Sequence, residues 1–455
     1  MNHKRTGLPA ARRERIGFTA VVWLAALLAA ASSVAAQGSN YEVWIVDQSN
    51  TRGLDHGGTL YIFDGRDLPG GSGQPPSAAD VIDLGGAAAA LCRQQTGSNP
   101  VRPHMVMFNR PHTHAILAFV ASGHVVIFDA AARRPLTCMR TTEAPTGRQA
   151  HAAFPSPDGS YILIANQNGK RLERVDANFA TNTFSHNTAA TVDLATCRTP
   201  SNMPCQAAAV RPDNAPICPV ISDTGDLAFV TLRGGGLLVV DPRPTPMRIV
   251  AEYDMATVKG NGCGGAQVGG QMFVNSGGRP AALEHLHLYG FDVYRFALDA
   301  FRRPGAMFEP NMPAPTVVFS ADGQRDSHGM VVTGLGREEY LWVMDRHADV
   351  AEVLRVGDGA HVRTIALNGA FSDNAAPDLA DASPNGALAF VALRGPTPLS
   401  GDPHNATGST PGLGILQVTE GGRNGFLTRI VRLTNVGADG VERADPHGLR
   451  VRRTN

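Results

Sequence analysis

Three histidines and one aspartate, His104, His151, His447 and Asp378, recur in one local setting and carry the chemistry of a metal site. His151 stands five residues before Ser156 of Ser156-Pro157-Asp158-Gly159, and Asp378 five before Ser383 of Ser383-Pro384-Asn385-Gly386. His104 stands five before Asn109, in the turn Phe108-Asn109-Arg110-Pro111, and His447 follows Pro446 as His104 follows Pro103. Imidazole suits Cu, Zn, Fe and Ni, and a neutral ring donates through either nitrogen. Three such rings and a carboxylate on one arc can hold a transition metal, and an open coordination position would make that site catalytic. The competing reading is structural: a Pro-His or Pro-Asp pair can satisfy a backbone group at a strand start.

Three further residues belong with these. His328, in Asp326-Ser327-His328-Gly329, is expected to start the second strand of its unit and to reach the rim of the same arc. Arg233 and Arg394 occupy equivalent places in a duplicated segment, Ala228-Phe229-Val230-Thr231-Leu232-Arg233-Gly234 against Ala389-Phe390-Val391-Ala392-Leu393-Arg394-Gly395. Each guanidinium could attract an anion or hydrogen-bond a neighbouring unit at a strand end. His285 and His287 of Glu284-His285-Leu286-His287 alternate as residues on one strand face do, which makes them a weaker chelating pair. There is no Gly-x-Ser-x-Gly elbow, phosphate loop, dinucleotide fingerprint or His-Glu-x-x-His helix.

The elements that must position these residues are short repeated β-runs. Leu60-Tyr61-Ile62-Phe63-Asp64, Val125-Val126-Ile127-Phe128-Asp129, Leu237-Leu238-Val239-Val240-Asp241 and Leu341-Trp342-Val343-Met344-Asp345 are copies. Weaker copies lie at Glu173–Asp176, Val293–Phe296 and Gly414–Val418, giving seven units. Turns of the Ser-Pro-Asp-Gly kind recur at Ser156, Ser222, Ser320 and Ser383, where Pro fixes φ and Asp/Asn-Gly permits a tight hairpin. Seven four-stranded units predict an all-β, seven-bladed β-propeller, which hides its sheet edges by radial repetition. Glu42–Asp47 lacks a preceding inner strand, and the chain ends in Asp445-Pro446-His447-Gly448-Leu449-Arg450-Val451 with nothing after it. The C-terminal strand therefore completes the first blade and closes the ring. On the hairpin alignment Ile217 and Pro315 fill the ligand place in blades 4 and 6, so those blades contribute none.

With these motifs the chain resembles the YVTN/lactonase-like group of seven-bladed propellers over nearly all of residues 41–455. The resemblance rests on the Pro-His-Gly and Ser-Pro-Asp-Gly elements and the Asp-ended strands; Phe229-Val230-Thr231-Leu232 stands nearest to the signature tetrapeptide. It implies an architecture and leaves the activity open, since the group includes sugar-lactone hydrolases and surface-layer proteins. Three functional expectations follow. The first is a propeller that binds a small molecule or protein at one face of its axial channel. The second is a metal-dependent oxidoreductase of the copper type, as in propellers resembling methanethiol oxidase, which bind copper through histidines. The third is a lactonase-like hydrolase; such enzymes rely on Glu, Asn and Asp, whereas the arc here is histidine-rich.

Composition bounds the compartment and the partners. The 455 residues carry 40 basic and 40 acidic side chains, so the chain lacks the basic surface a nucleic-acid partner requires. Residues 1–36 combine Lys4, Arg5, Arg12, Arg13 and Arg15, an apolar core from Phe18 to Ala31, and small residues up to Ala36. That is the layout of a secretory signal, leaving residues 37–455 as one propeller domain without a membrane-spanning segment. The six cysteines predict disulfides in a periplasmic or extracellular setting, with Cys197–Cys205 the first expected pair.

Overall fold

The structure is a computed structural model describing residues 40–69, 76–277, 290–302, 312–334, 336, 338–397 and 407–454. The expected signal segment, His285 and His287 lie outside the described residues. Seven four-stranded antiparallel sheets make a β-propeller. From blade 1 to blade 7 the inner strands are Pro446–Arg453, Pro103–Phe108, Ala150–Pro155, Pro216–Ile221, Gly265–Val268, Ser327–Thr333 and Pro377–Ala382. Blade 1 is closed as expected: the C-terminal strand pairs with Tyr41–Asp47, Val43 opposite Val451 and Asp47 opposite Pro446.

The middle strands of each blade pack against neighbouring blades on both faces, so they read as unbroken apolar runs rather than alternating ones. His114–Phe119, Tyr161–Asn166 and Leu388–Leu393 are buried at every residue. The outermost strands, such as His361–Ala366, are largely exposed. Trp44, Ile62, Val126 and Phe128 fill the seam between blades 1 and 2. Three hairpins use the expected turn. At Ser156 the hydroxyl accepts from the Tyr161 N–H at 3.1 Å, and Gly159 supplies φ +74.

Ser320 to Gly323 is different. It ends the outer strand of blade 5, Thr316–Ala321, and leads into the inner strand of blade 6. Pro315 therefore precedes an outer strand, and His328 takes the inner place that the hairpin alignment assigned to Pro315. The cause is the run Leu341–Asp345. It falls within Tyr340–Asp345, the second strand of blade 6, with Asp345 opposite Ser327 as Asp47 is opposite Pro446. In blades 1, 2 and 4 the copies ending at Asp64, Asp129 and Asp241 are third strands. Buried runs ending in Asp occur in both places, and sequence alone cannot separate them.

All six cysteines pair. Cys197–Cys205 staples the loop after blade 3, and Cys92–Cys138 ties the helix Ala87–Thr96 to the outer strand of blade 2. Cys218–Cys263 joins the inner strand of blade 4 to the segment entering blade 5. No helix among the described residues is long and apolar enough to cross a membrane.

Candidate metal centre on the propeller axis

In six blades the second residue of the inner strand faces the same ring of positions: His447, His104, His151, Ile217, His328 and Asp378. In blade 5 the strand Gly265–Val268 begins after this level, and Gly264, which meets the His328 carbonyl as Gly448 meets that of His104, places Cys263 there. In six blades the pairing with the next strand slips here: between Pro103 and Met105, Ala150 and Ala152, Pro216 and Pro219, Ser327 and Met330, Pro377 and Ala380, and opposite Ile45–Asp47 in blade 1. Such a bulge leaves a residue out of the ladder and re-aims its side chain. The slip thus turns five polar side chains toward the axis.

Two glycines let neighbouring strands close on this ring. A Cβ on Gly448 would lie 2.6 Å from the His104 carbonyl oxygen and 2.8 Å from Met105 Cα. A Cβ on Gly329 would lie 2.3 Å from the Asp378 carbonyl oxygen. The close approach at Gly448 allows His447 Nδ1 to donate to the His104 carbonyl at 2.9 Å.

The ring brings the predicted residues together. His104 stacks on His447 with centroids 3.7 Å apart and meets His151 edge-on at 4.5 Å. His328 meets His447 edge-on at 5.2 Å. Asp378 Oδ1 lies 3.4 Å from His328 Nε2 and 3.5 Å from His447 Nε2. These separations are too long for good hydrogen bonds. They match the edge of a ligand tetrahedron, since donors about 2.1 Å from an ion lie roughly 3.4 Å apart. Asp378 is 0% exposed, His447 1%, His104 3% and His328 5%.

Several atoms in this buried cluster lack a hydrogen-bond partner: His104 Nε2, His151 Nδ1, both ring nitrogens of His328, and Asp378 Oδ1. Each orphaned buried polar atom costs about 1–3 kcal/mol. The opposite edges of these groups are firmly held. His104 Nδ1 donates to Gln48 Oε1 at 2.8 Å, and Gln48 Nε2 faces Asp445 Oδ2 at 3.4 Å, which orients the amide. Both His104 and His447 thus carry their proton on Nδ1 and turn a bare Nε2 inward. Metal-binding imidazoles are normally oriented from behind in this way. Asp378 is clamped through Oδ2 by Arg394 Nη1 at 2.8 Å and approached by Arg346 Nη1 at 3.4 Å, leaving Oδ1 to the cluster.

Protonation states agree. Burial pushes His447 down to about 3 and His151 to about 4, and holds His104 and His328 well below the usual imidazole value. Burial alone would raise the Asp378 carboxyl. The neighbouring His328, His447, Arg346 and Arg394 outweigh it and keep that group far below the usual carboxylate range. The cluster is four neutral imidazoles and one carboxylate, all in ligating form.

A second ring stands behind the first; sequence reasoning named Arg233 and Arg394 of it and missed Gln48 and Arg346. The residue just before each ring position pairs with the second strand, and the next residue on that strand is Gln48 in blade 1, Arg233 in blade 4, Arg346 in blade 6 and Arg394 in blade 7. Arg394 is fully buried and also binds Asp445, Nε to Oδ1 at 2.6 Å and Nη2 to Oδ2 at 2.8 Å. Arg346 is buried against Asp326 at 2.7 Å. Arg233 instead pairs with Asp213 at 2.5 Å, its side chain 44% exposed, although His151 still feels its charge. The duplicated segment contained this signal. Arg394 reaches the adjoining blade 1, as a strand-end arginine should, and in doing so it grips Asp378.

No protein-family model matches the chain, and no curated protein matches it in sequence. Among solved structures it is similar to a candidate 6-phosphogluconolactonase from Bacteroides fragilis, at 13% identity and TM-score 0.54, over 91% of this chain and 98% of that one. It is similar to the periplasmic gluconolactonase PpgL of Pseudomonas aeruginosa, at 14% identity and TM-score 0.53, over 91% and 99%. A hypothetical selenium-binding protein from Sulfolobus tokodaii aligns at 10% identity and TM-score 0.55, over 92% and 94%. At such identities the likeness defines the fold alone: a seven-bladed propeller of the architecture that lactonase-like structures share.

Proposed function

We propose that this chain is an exported propeller that holds one transition-metal ion on its axis and uses it for redox chemistry of the copper type. The ligands would be Nε2 of His447, a ring nitrogen of His328 and Oδ1 of Asp378, whose ligand atoms lie within 4.8 Å of one another, with His104 and His151 at the edge of the set. One observation carries the reading: ligand atoms of the buried His328, Asp378 and His447 lie within 4.8 Å of one another, with both His328 nitrogens and Asp378 Oδ1 unpartnered and two separations at tetrahedral-edge length. An imidazole-rich set with one carboxylate suits Cu, Fe, Ni or Zn and disfavours Mg or Ca. When bound, such an ion supplies Lewis acidity and, for copper or iron, one-electron transfer.

The chain's own residues supply the rest. Gln48 and the His104 carbonyl hold the tautomers of His104 and His447. Arg394 and Arg346 keep Asp378 ionised and aimed. The buried ring excludes bulk water, which strengthens every charge interaction within it. Export fits a chain whose six cysteines are all in disulfides and whose first residues read as a secretory signal. The axial donors offer no glutamate and no asparagine, so the histidine set favours metal redox chemistry over lactone hydrolysis. The small molecule or protein that such a centre would act on enters as the first functional expectation had it, at one mouth of the channel.

The test is the metal content of protein purified from the exported fraction, before and after reloading with Cu, Zn or Fe. Near one tightly held ion per chain is expected, lost in His447→Ala and in His328→Ala while the β-sheet circular dichroism stays. A chain that binds no ion under any loading would overturn the proposal.

A further inference from the structure

The ring has a gap between His151 and His328, where blades 4 and 5 place sulfur instead of imidazole. A ring nitrogen of His151 and the Sγ atoms of Cys218 and Cys263 lie within 4.8 Å of one another. Cys218 is 0% exposed and Cys263 4%. His151 Nδ1 is buried without a partner. Of the three disulfides this one alone lies at the axis. Hydrogen bonds also join the two segments that carry its cysteines. The Thr231 hydroxyl accepts from the Cys218 N–H at 3.1 Å and donates to the Gly262 carbonyl at 2.5 Å, bridging the two segments by itself. Asn261 N–H donates to the Leu232 carbonyl at 3.0 Å, and Gly264 N–H to Asn275 Oδ1 at 2.8 Å. Asn275 Nδ2 in turn donates to the His328 carbonyl at 2.9 Å. The two Cα atoms stand 5.1 Å apart, with these contacts beside the S–S bond.

We propose that Cys218, Cys263 and His151 form a second, redox-gated metal site, closed as the disulfide and opened on reduction to bind a soft d10 cation of the Zn2+, Cd2+ or Cu+ class. A dithiol reductant delivers two electrons and two protons to the S–S bond, becoming a disulfide itself and leaving two thiols on the chain. Binding a divalent ion then forms two metal–sulfur bonds and releases those two protons. The neutral imidazole of His151 is the third ligand, giving an NS2 set that differs in softness from the nitrogen- and oxygen-rich axial cluster. The site stands whether or not the axial cluster holds its own ion.

The experiment titrates the whole exported protein with Cd2+, oxidised and after phosphine reduction under argon, with free thiols mapped by alkylation and mass spectrometry. The reduced chain should take up one more Cd2+ than the oxidised chain and develop the ultraviolet absorption of sulfur-to-cadmium charge transfer. Cys218→Ser/Cys263→Ser should lose both signals, and Cys197→Ser/Cys205→Ser should keep them. His151→Ala should keep the absorption but weaken Cd2+ binding at least about tenfold. His447→Ala should lower uptake by the oxidised and the reduced chain alike and leave the one-ion difference between them unchanged, which separates failure of the axial centre from failure of this site. The proposal is overturned if Cys218 and Cys263 stay oxidised in the folded protein, if they are reduced without added Cd2+ uptake, if the absorption survives in Cys218→Ser/Cys263→Ser, or if His151→Ala binds Cd2+ as tightly as the parent chain.

Discussion

Replacing Arg394 by leucine removes one fully buried guanidinium from between two fully buried carboxylates. Arg394 holds Asp378 Oδ2 at 2.8 Å and both oxygens of Asp445 at 2.6 and 2.8 Å. After the change Asp378 retains the 3.4 Å approach of Arg346, and Asp445 loses its bidentate partner. Breaking a buried pair by deleting one member costs about 3–5 kcal/mol, because the other charge stays buried. Unfolding entropy is about 2.1 cal/mol/K per residue, so a ring of roughly 400 residues gives about 0.84 kcal/mol/K. The melting temperature of metal-free protein should therefore fall by roughly 4–6 °C in calorimetry. Adding Asp445→Asn to Arg394→Leu should restore part of the loss, since one of the stranded charges is gone. Metal affinity should drop about 10- to 100-fold, because Asp378 Oδ1 is no longer aimed. A melting shift below about 1 °C with unchanged metal affinity would refute the clamp.

Acid should unfold the metal-free chain early. His447 and His151 titrate near 3 and 4 in the folded state, and His104 and His328 are also held low by burial. Unfolded histidine titrates near 6.5, so between these values the unfolded state binds more protons and stability falls with falling pH. Each histidine that stays neutral costs about 2 kcal/mol between pH 7 and pH 5; equal urea midpoints at the two pH values would contradict this. Gly448→Ala forces a Cβ against the His104 carbonyl and should part the inner strands of blades 1 and 2. It is expected to destabilise by about 1–3 kcal/mol and to weaken metal binding, whereas Gly270→Ala, which meets nothing within 4 Å, should do neither. Equal behaviour of the two alanine variants in urea unfolding and metal titration would remove the role assigned to Gly448.

The architecture was legible because a propeller repeats its own grammar. Asp-ended strands, Ser-Pro-Asp-Gly hairpins and complementary chain ends appear in sequence order, and ring closure through Pro446–Arg453 follows from them. His104, His151, Asp378 and His447 could be aligned because each precedes its hairpin by a full inner strand, or follows proline. His328 broke the alignment because blade 6 has no Ser-Pro-Asp-Gly turn after its inner strand, and the turn at Ser320 mimics one. The holding groups were harder to see. Gln48, Arg346 and Arg394 act from second strands, and their place behind the ring depends on pairing across bulges, which a linear reading does not register.

Anomalous X-ray diffraction from crystals of the metal-loaded, oxidised protein tests the central claim most directly. The account predicts one strong peak on the propeller axis, bounded by His447 Nε2, a nitrogen of His328 and Asp378 Oδ1. A peak elsewhere in the molecule, or none after loading with copper, zinc or iron in turn, would contradict it.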